Sequence, residues 1–244
     1  MTANREHANP SDLVDTLNFA QKVDRALRLI GEAWEEFGTR LVVANSLGKD
    51  SCVVWDLAQR VSPEIPGFIV TTRFKPAETV GFMAETVARY PQLRVYRNDS
   101  VIPERLYETD PDHCCELLKV EPTRRALEEM NAGCWVTGLR CTEGRTRTDY
   151  QELEQRDEGL LKLNPILIWH EREIWQYLAL YQVPTSPLYK QGYRSLGCAT
   201  CTKLSTGPNE RDGRWIGTSK CGGECGIHTR PLKEVRLELE TTGV

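Results

Sequence analysis

Leu13, Leu17, Ala20, Val23, Leu27, Ile30, Trp34 and Phe37 recur three or four residues apart. That is the spacing of one buried helix face, and it predicts a helix over 11–37 with Ser11 as N-cap and Gly38 as stop. The pattern then shortens. "RLVVANS" (40–46) is a continuous apolar run of strand length, "LGKD" is a turn, and 50–60 returns to helical spacing. The same exchange repeats with "GFIVTT" (67–72) as strand, 76–90 as helix with Pro76 in its first turn, and "LRVYRN" (93–98) as strand. Further on, "KVEPTRRALEEMN" predicts a helix and "CWVTGL" (134–139) a buried strand; "LKLNPILIW" (161–169) predicts another strand, and 171–181 a helix. Strands alternating with helices require crossover connections, so the expected fold is α/β: a mostly parallel sheet with helices on both faces.

From Pro184 onward the periodicity fades and Gly, Pro and Cys become frequent. The expected organisation is therefore a nucleotide-binding α/β part over 1–183, including the N-terminal helix, and an irregular segment over 184–244 of the same domain. A net charge of −4 argues against a general nucleic-acid or membrane surface, so nucleic acid is not an expected partner. No apolar run reaches membrane-spanning length, and "MTANREHANPSD" lacks the apolar stretch of a signal peptide. The expectation is a cytoplasmic chain, in which nine cysteines are reduced and serve as metal ligands or reactive groups rather than disulfides. Self-association into a homo-oligomer is left open.

"NSLGKDS" (45–51) lies where the first strand passes to a helix, the position at which doubly wound sheets collect ligands. Ser46, Gly48, Lys49, Asp50 and Ser51 there suit an anion, through hydroxyls, helix-start amides and one cation. The alternative is an ordinary solvated turn, and the spacing is not that of a Walker loop. Cys114–Cys115 and Cys198-x-x-Cys201 offer four thiolates from two distant segments. Adjacent cysteines strain a single tetrahedral zinc site, whereas separate iron corners of a 4Fe–4S cluster can each take one sulfur; the cluster is the favoured reading over zinc and over free buried thiols. Cys52, Cys134 and Cys141 sit in or beside apolar segments and read as small hydrophobes.

"CCELLKVEP", "WVTGLR", "GYRSLGCATCTK", "ERDGRW" and "ECGIH" occur in this order. Together they resemble the assimilatory adenylyl-sulfate reductases, the iron–sulfur branch of the adenylyl-sulfate and phosphoadenylyl-sulfate reductase family, over about residues 42–228. The resemblance implies the adenine-nucleotide hydrolase-like sheet and makes Cys225 the nucleophile. Its thiolate would attack the sulfur of adenylyl sulfate, release AMP and carry an S-sulfocysteine; thioredoxin or a similar thiol donor would then release sulfite. The same resemblance puts Lys119, Arg211 and Arg214 on the anionic substrate, with Arg140, Arg145 and Arg147 as a further basic run. His228 and nearby arginines would favour the Cys225 thiolate while Glu224 opposes it. Cys221 either pairs with Cys225 on oxidation or is an additional thiol. "SLGKDS" departs from the family's usual loop toward the ATP pyrophosphatases, and "TTRFKPAET" departs from its usual second-strand segment. The alternative readings are thus an ATP-consuming sulfur-transfer enzyme, a reductase of the 3′-phosphorylated substrate, or an iron–sulfur redox sensor.

Overall fold

The computed structural model describes residues 10–144, 147, 149–157, 159–220, 226–229 and 232. Cys225, Cys221, Glu224 and Arg145 fall outside these residues. The chain begins with a short helix α1 (Pro10–Leu13) and a long helix α2 (Phe19–Phe37). The expected single helix is broken by Asn18. Its side chain accepts from the Gln21 N–H while the Gln21 side chain accepts from the Asn18 N–H, so the cap of the long helix lies here and not at Ser11. Gly38 ends the helix at φ 52°, a left-handed angle that favours glycine.

Strand β1 (Leu41–Ala44) leads into α3 (Lys49–Val61); β2 (Gly67–Val70), α4 (Ala77–Arg89) and β3 (Leu93–Tyr96) follow. Next come α5 (Leu106–Thr109), α6 (Pro111–Cys115), a π-helical turn at Glu116–Val120, and α7 (Glu121–Glu129). Strands β4 (Cys134–Val136), β5 (Leu153–Asp157) and β6 (Leu160–Leu163) precede α8 (Glu171–Leu180), and a short α9 (Gly226–Thr229) carries the tail. The sheet order is β3-β2-β1-β4-β6-β5, parallel except for β5, which pairs antiparallel with β6.

The two-residue period of the strands divides the core. Leu41, Val43, Ile69, Leu93, Cys134, Val136 and Leu163 face a core shared with α2, α3 and α8. Val42, Phe68, Tyr96 and Trp135 face the opposite way, against Ala126 and Leu127 of α7 and against Ile227 and Leu232 of the tail. Such double coverage explains why β1, β2 and β4 read as uninterrupted apolar runs. The expected strand over 161–169 stops at Leu163. Asn164 Nδ2 bonds the Gln151 carbonyl at 2.7 Å, and Ile166–Trp169 is buried as consecutive turns. Among the described residues, no helix is long and apolar enough to cross a membrane.

Candidate functional site

The strand order reverses between β1 and β4, and their carboxyl ends open a crevice of the kind in which open α/β sheets bind ligands. A cavity of about 200 Å³ occupies it, lined by the loop after β1, the segment after β4, the π-helical turn, the 195–197 and 211–215 stretches, and tail residues Ile227 and His228. Gly138 lets the β4 loop lie against the head of α3. A Cβ there would stand 2.9 Å from the Asp50 carbonyl carbon and the Ser51 nitrogen.

The β1 loop is held from within. Leu47 takes φ 65°, an uncommon angle for a branched side chain, and is pinned there by burial and by its N–H bonding Asn45 Oδ1 at 2.9 Å. Ser51 Oγ accepts the Ser46 N–H at 3.1 Å, and the Tyr189 hydroxyl accepts the Lys49 N–H at 2.7 Å. Ser46, Gly48 and Ser51 thus border the cavity in a fixed turn.

Lys49, Asp50 and Arg140, expected on the substrate, have their charged ends turned inward. Lys49 Nζ bonds Glu210 Oε2 at 2.7 Å, the Arg194 carbonyl at 3.1 Å and Asp50 Oδ2 at 3.2 Å. Arg140 is fully buried and outside the cavity wall; it bonds Asp50 Oδ1 at 2.5 Å and both Glu210 oxygens at 2.8 and 2.6 Å. Burial alone would raise the Asp50 carboxyl, but Arg140 and Lys49 hold it down at about 2. Burial disfavours charge on Lys49 and Arg140, yet Asp50 and Glu210 outweigh it and keep both above their ordinary values.

The cations bordering the cavity are Lys49, Lys75, Lys119, Arg147, Arg211 and Arg214; the Lys49 ammonium is engaged by Glu210 and Asp50. Arg147 pairs with Glu143, and Arg211 Nη1 lies 3.5 Å from the other Glu143 oxygen. Arg214 donates to the Leu196 carbonyl at 3.1 Å and stacks over Trp215 with 4.4 Å from its Cζ to the ring centre. Lys119 is delivered by the π-helical turn, an insertion that re-aims side chains and recurs at functional sites. On the tail, the His228 ring lies nearly parallel to Trp135 at 11°, centroids 6.1 Å apart, and its carbonyl accepts from the Tyr150 hydroxyl. Lys75, Trp135, Glu143, Tyr189, Glu210 and Trp215 escape the sequence reading. Lys75, Trp135, Glu210 and Trp215 lie inside strings already singled out ("TTRFKPAET", "WVTGLR" and "ERDGRW"), which could have pointed to them; Glu143 and Tyr189 do not.

Phe74 and Tyr107, in edge contact with each other, pack against Cys114 and also against Cys198 and Cys201, which brings the two cysteine segments together. All four thiols are buried and free of disulfides. Burial, then the neighbouring Cys198 and Cys201, push Cys114 up to about 11. Cys198 shifts the other way: burial is overcome by Lys119 and Lys75, and by a bond from Thr72. Mutual repulsion of thiolates in one pocket, with Lys75 and Lys119 nearby, is what a bound metal cation would relieve. Among the described residues no three His, Cys, Asp or Glu side chains are arranged so that they could hold a metal ion. Cys52 and Cys134 are core residues whose thiols burial pushes up to about 12.

Residues 40–204 match the phosphoadenosine phosphosulfate reductase domain. The chain is 35% identical to an adenosine 5′-phosphosulfate reductase of Halalkalibacterium halodurans, over 88% of this chain and 96% of that protein. It is 33% identical to a phosphoadenosine 5′-phosphosulfate reductase of Gloeobacter violaceus, over 82% and 87% of the two chains. Among solved structures, the phosphoadenylyl-sulfate reductase of Candida auris superposes with a TM-score of 0.66 at 23% identity, covering 83% of this chain and 99% of that one. The Candida glabrata FMN adenylyltransferase superposes with a TM-score of 0.60 at 17% identity, covering 88% and 81%, a likeness of fold alone. With the domain match spanning most of the sheet and the relatives a third identical along nearly their whole length, the chain belongs to the phosphoadenosine phosphosulfate reductase family.

Proposed function

We propose that this chain reduces adenylyl sulfate to sulfite and AMP, with Cys225 as nucleophile and thioredoxin or a similar reduced thiol as electron donor. The observation that carries the reading is the cavity itself. It lies at the switch point and is bordered by Lys119, Arg147, Arg211 and Arg214 together with Ile227 and His228, and Cys225 precedes these two tail residues by two and three positions.

The β1 loop, with Ser46, Gly48 and Ser51, receives the nucleotide phosphate, and the cations bind the sulfate oxygens. The Cys225 thiolate then attacks the sulfonate sulfur. An S–S bond forms, the S–O bond to the AMP phosphate breaks, and AMP leaves with the electron pair. A donor thiolate next attacks Cys225 Sγ, which makes a mixed disulfide and expels sulfite with the pair from the broken S–S bond. The donor's second thiol resolves that disulfide, returning Cys225 to its thiolate; the two electrons come from the reduced dithiol donor, which leaves as its disulfide. Such a donor belongs to a reducing, cytoplasmic setting.

Cys114, Cys115, Cys198 and Cys201 would hold a 4Fe–4S cluster. When bound, it supplies fixed charge beside Lys119 and a cross-link between α6 and the 198–201 segment; no electron from it enters the scheme above.

The test is anaerobic turnover with reduced thioredoxin, scoring sulfite from adenylyl sulfate and from its 3′-phosphorylated form. Sulfite from adenylyl sulfate that disappears in Cys225→Ser is the expected result. No sulfite from adenylyl sulfate in protein that retains its iron would overturn the reading, and sulfite only from the 3′-phosphorylated form would reassign the substrate.

A further inference from the structure

A lysine in the nucleotide loop and an arginine after β4 invite assignment to phosphate. The bonding of this pair is inconsistent with that role. The Lys49 ammonium has three N–H donors, and Glu210, Asp50 and the Arg194 carbonyl account for three. The Arg140 guanidinium has five. Nε goes to Asp50, Nη2 to the two Glu210 oxygens, and Nη1 to Thr142 Oγ1 at 3.1 Å and the Trp169 carbonyl at 3.5 Å. Neither side chain has more than 1% of its surface exposed. Two cations and two carboxylates also leave the group without net charge. The nearby Glu171, 4.0 Å from Lys49, is itself bonded to Arg194 at 2.7 Å.

The group joins three stretches far apart in sequence: the head of α3, the segment after β4, and the tail at 194 and 210. Glu210 is the tail's share. It immediately precedes Arg211, whose carbonyl accepts the Arg214 N–H at 2.8 Å, so Arg211 and Arg214 stand on one turn that begins at the buried carboxylate. Both arginines border the cavity.

We infer that Glu210 is a positioning residue: gripped by Lys49 and Arg140, it fixes the turn that presents Arg211 and Arg214 to the anionic substrate, and Lys49 and Arg140 make no contact with that substrate. The inference deepens the reductase reading and rests on it for the identity of the substrate. It also gives the unusual Gly-Lys-Asp loop a role that requires no ATP.

The experiment is a double-mutant cycle on the full chain with Lys49→Met, Glu210→Gln and the two combined, read by KM and kcat for adenylyl sulfate and by Tm without substrate. Each single change leaves one uncompensated buried charge. The expected result is a KM raised at least about tenfold, with kcat within about threefold, and a lowered Tm. The double variant again balances Arg140 against Asp50, so it should recover most of the Tm, but the grip on the turn is gone and its KM should stay raised to about the level of the worse single variant, not to the product of the two effects. A double variant whose KM multiplies the two single effects would mean that Lys49 meets the substrate independently of Glu210 and would overturn the inference; so would an unchanged KM in either single. Should a single variant fail to fold, Glu210→Asp keeps the charge but withdraws it by one methylene. It should raise KM with little change in Tm, and an unchanged KM there overturns the inference equally. Failure of the reductase reading appears elsewhere, as absence of sulfite from the parent protein, and the Tm arm of the cycle still reports on the latch in that case.

Discussion

Lys162 is fully buried on the sheet face beside Trp135, its register partner. Its ammonium lies 4.2 Å from the centre of the Tyr150 ring and 3.3 Å from Glu154 Oε2. Burial outweighs Glu154 and lowers its pKa to about 8. Between about pH 8 and the ordinary lysine value near 10.5 the folded protein therefore holds Lys162 neutral while the unfolded chain holds it charged. Unfolding takes up a proton in that window, so raising the pH opposes unfolding, and this residue's contribution becomes more favourable. Buried cysteines work against it at the alkaline end, because folding keeps Cys52 and Cys134 protonated. The clean measurement is thus a difference. In urea titrations of the parent and Lys162→Met, the stability gap should move toward the parent by about 1.4 kcal/mol per pH unit from pH 8 upward. A gap independent of pH would show that Lys162 is charged in the fold.

At the scale of elements, the architecture was legible where burial was two-sided. Residues 41–44, 67–70 and 134–136 are continuous apolar strings because both faces of the sheet are covered, and each was read as a strand; 93–96 was also read as a strand although Arg94 and Val95 of this edge strand are exposed. Strand β5 was missed for the opposite reason: "LEQRD" is a partly exposed edge strand with no apolar period to detect. The overlong reading of 161–169 failed because Ile166–Trp169 is buried as turns, and burial alone does not distinguish a turn from a strand. The site divides in the same way. The β1 loop and the basic motifs are local strings, whereas the Lys49–Glu210 and Trp135–His228 partnerships span 161 and 93 residues of chain and leave no local mark. The packing of the β4 loop on α3 belongs with them. Gly138→Ala would drive a methyl into the α3 backbone, which cannot swing aside as a side chain does. It should cost about 1–3 kcal/mol in denaturant unfolding and weaken AMP binding measured by calorimetry. Parent-like stability together with parent-like affinity would show that the α3 head is not held by this approach.

Over the whole molecule, the sheet's second face serves as the seat of the tail. Ile227 packs there, His228 lies along Trp135, and Leu232, only 1% exposed, enters the same core as Val42, Phe68 and Tyr96 while its N–H bonds Asp157 Oδ2 at 2.9 Å. The proposed nucleophile precedes this seat directly in sequence, so in the reductase reading its access to the cavity depends on how firmly the tail is held. The sheet itself is secured by α2, α3, α7 and α8 and does not need the tail to form. Trimming Leu232 to alanine should therefore act regionally. About 2–5 kcal/mol of anchoring is removed, enough to shift a docked tail substantially toward the undocked state, while the main thermal transition moves only slightly. Two measurements check this together: limited proteolysis, in which cleavage beyond residue 220 should accelerate by at least about tenfold, and sulfite release from adenylyl sulfate, which should fall in parallel. Faster cleavage with undiminished turnover would separate tail docking from catalysis, and unchanged cleavage would mean that α9 alone holds the tail in place.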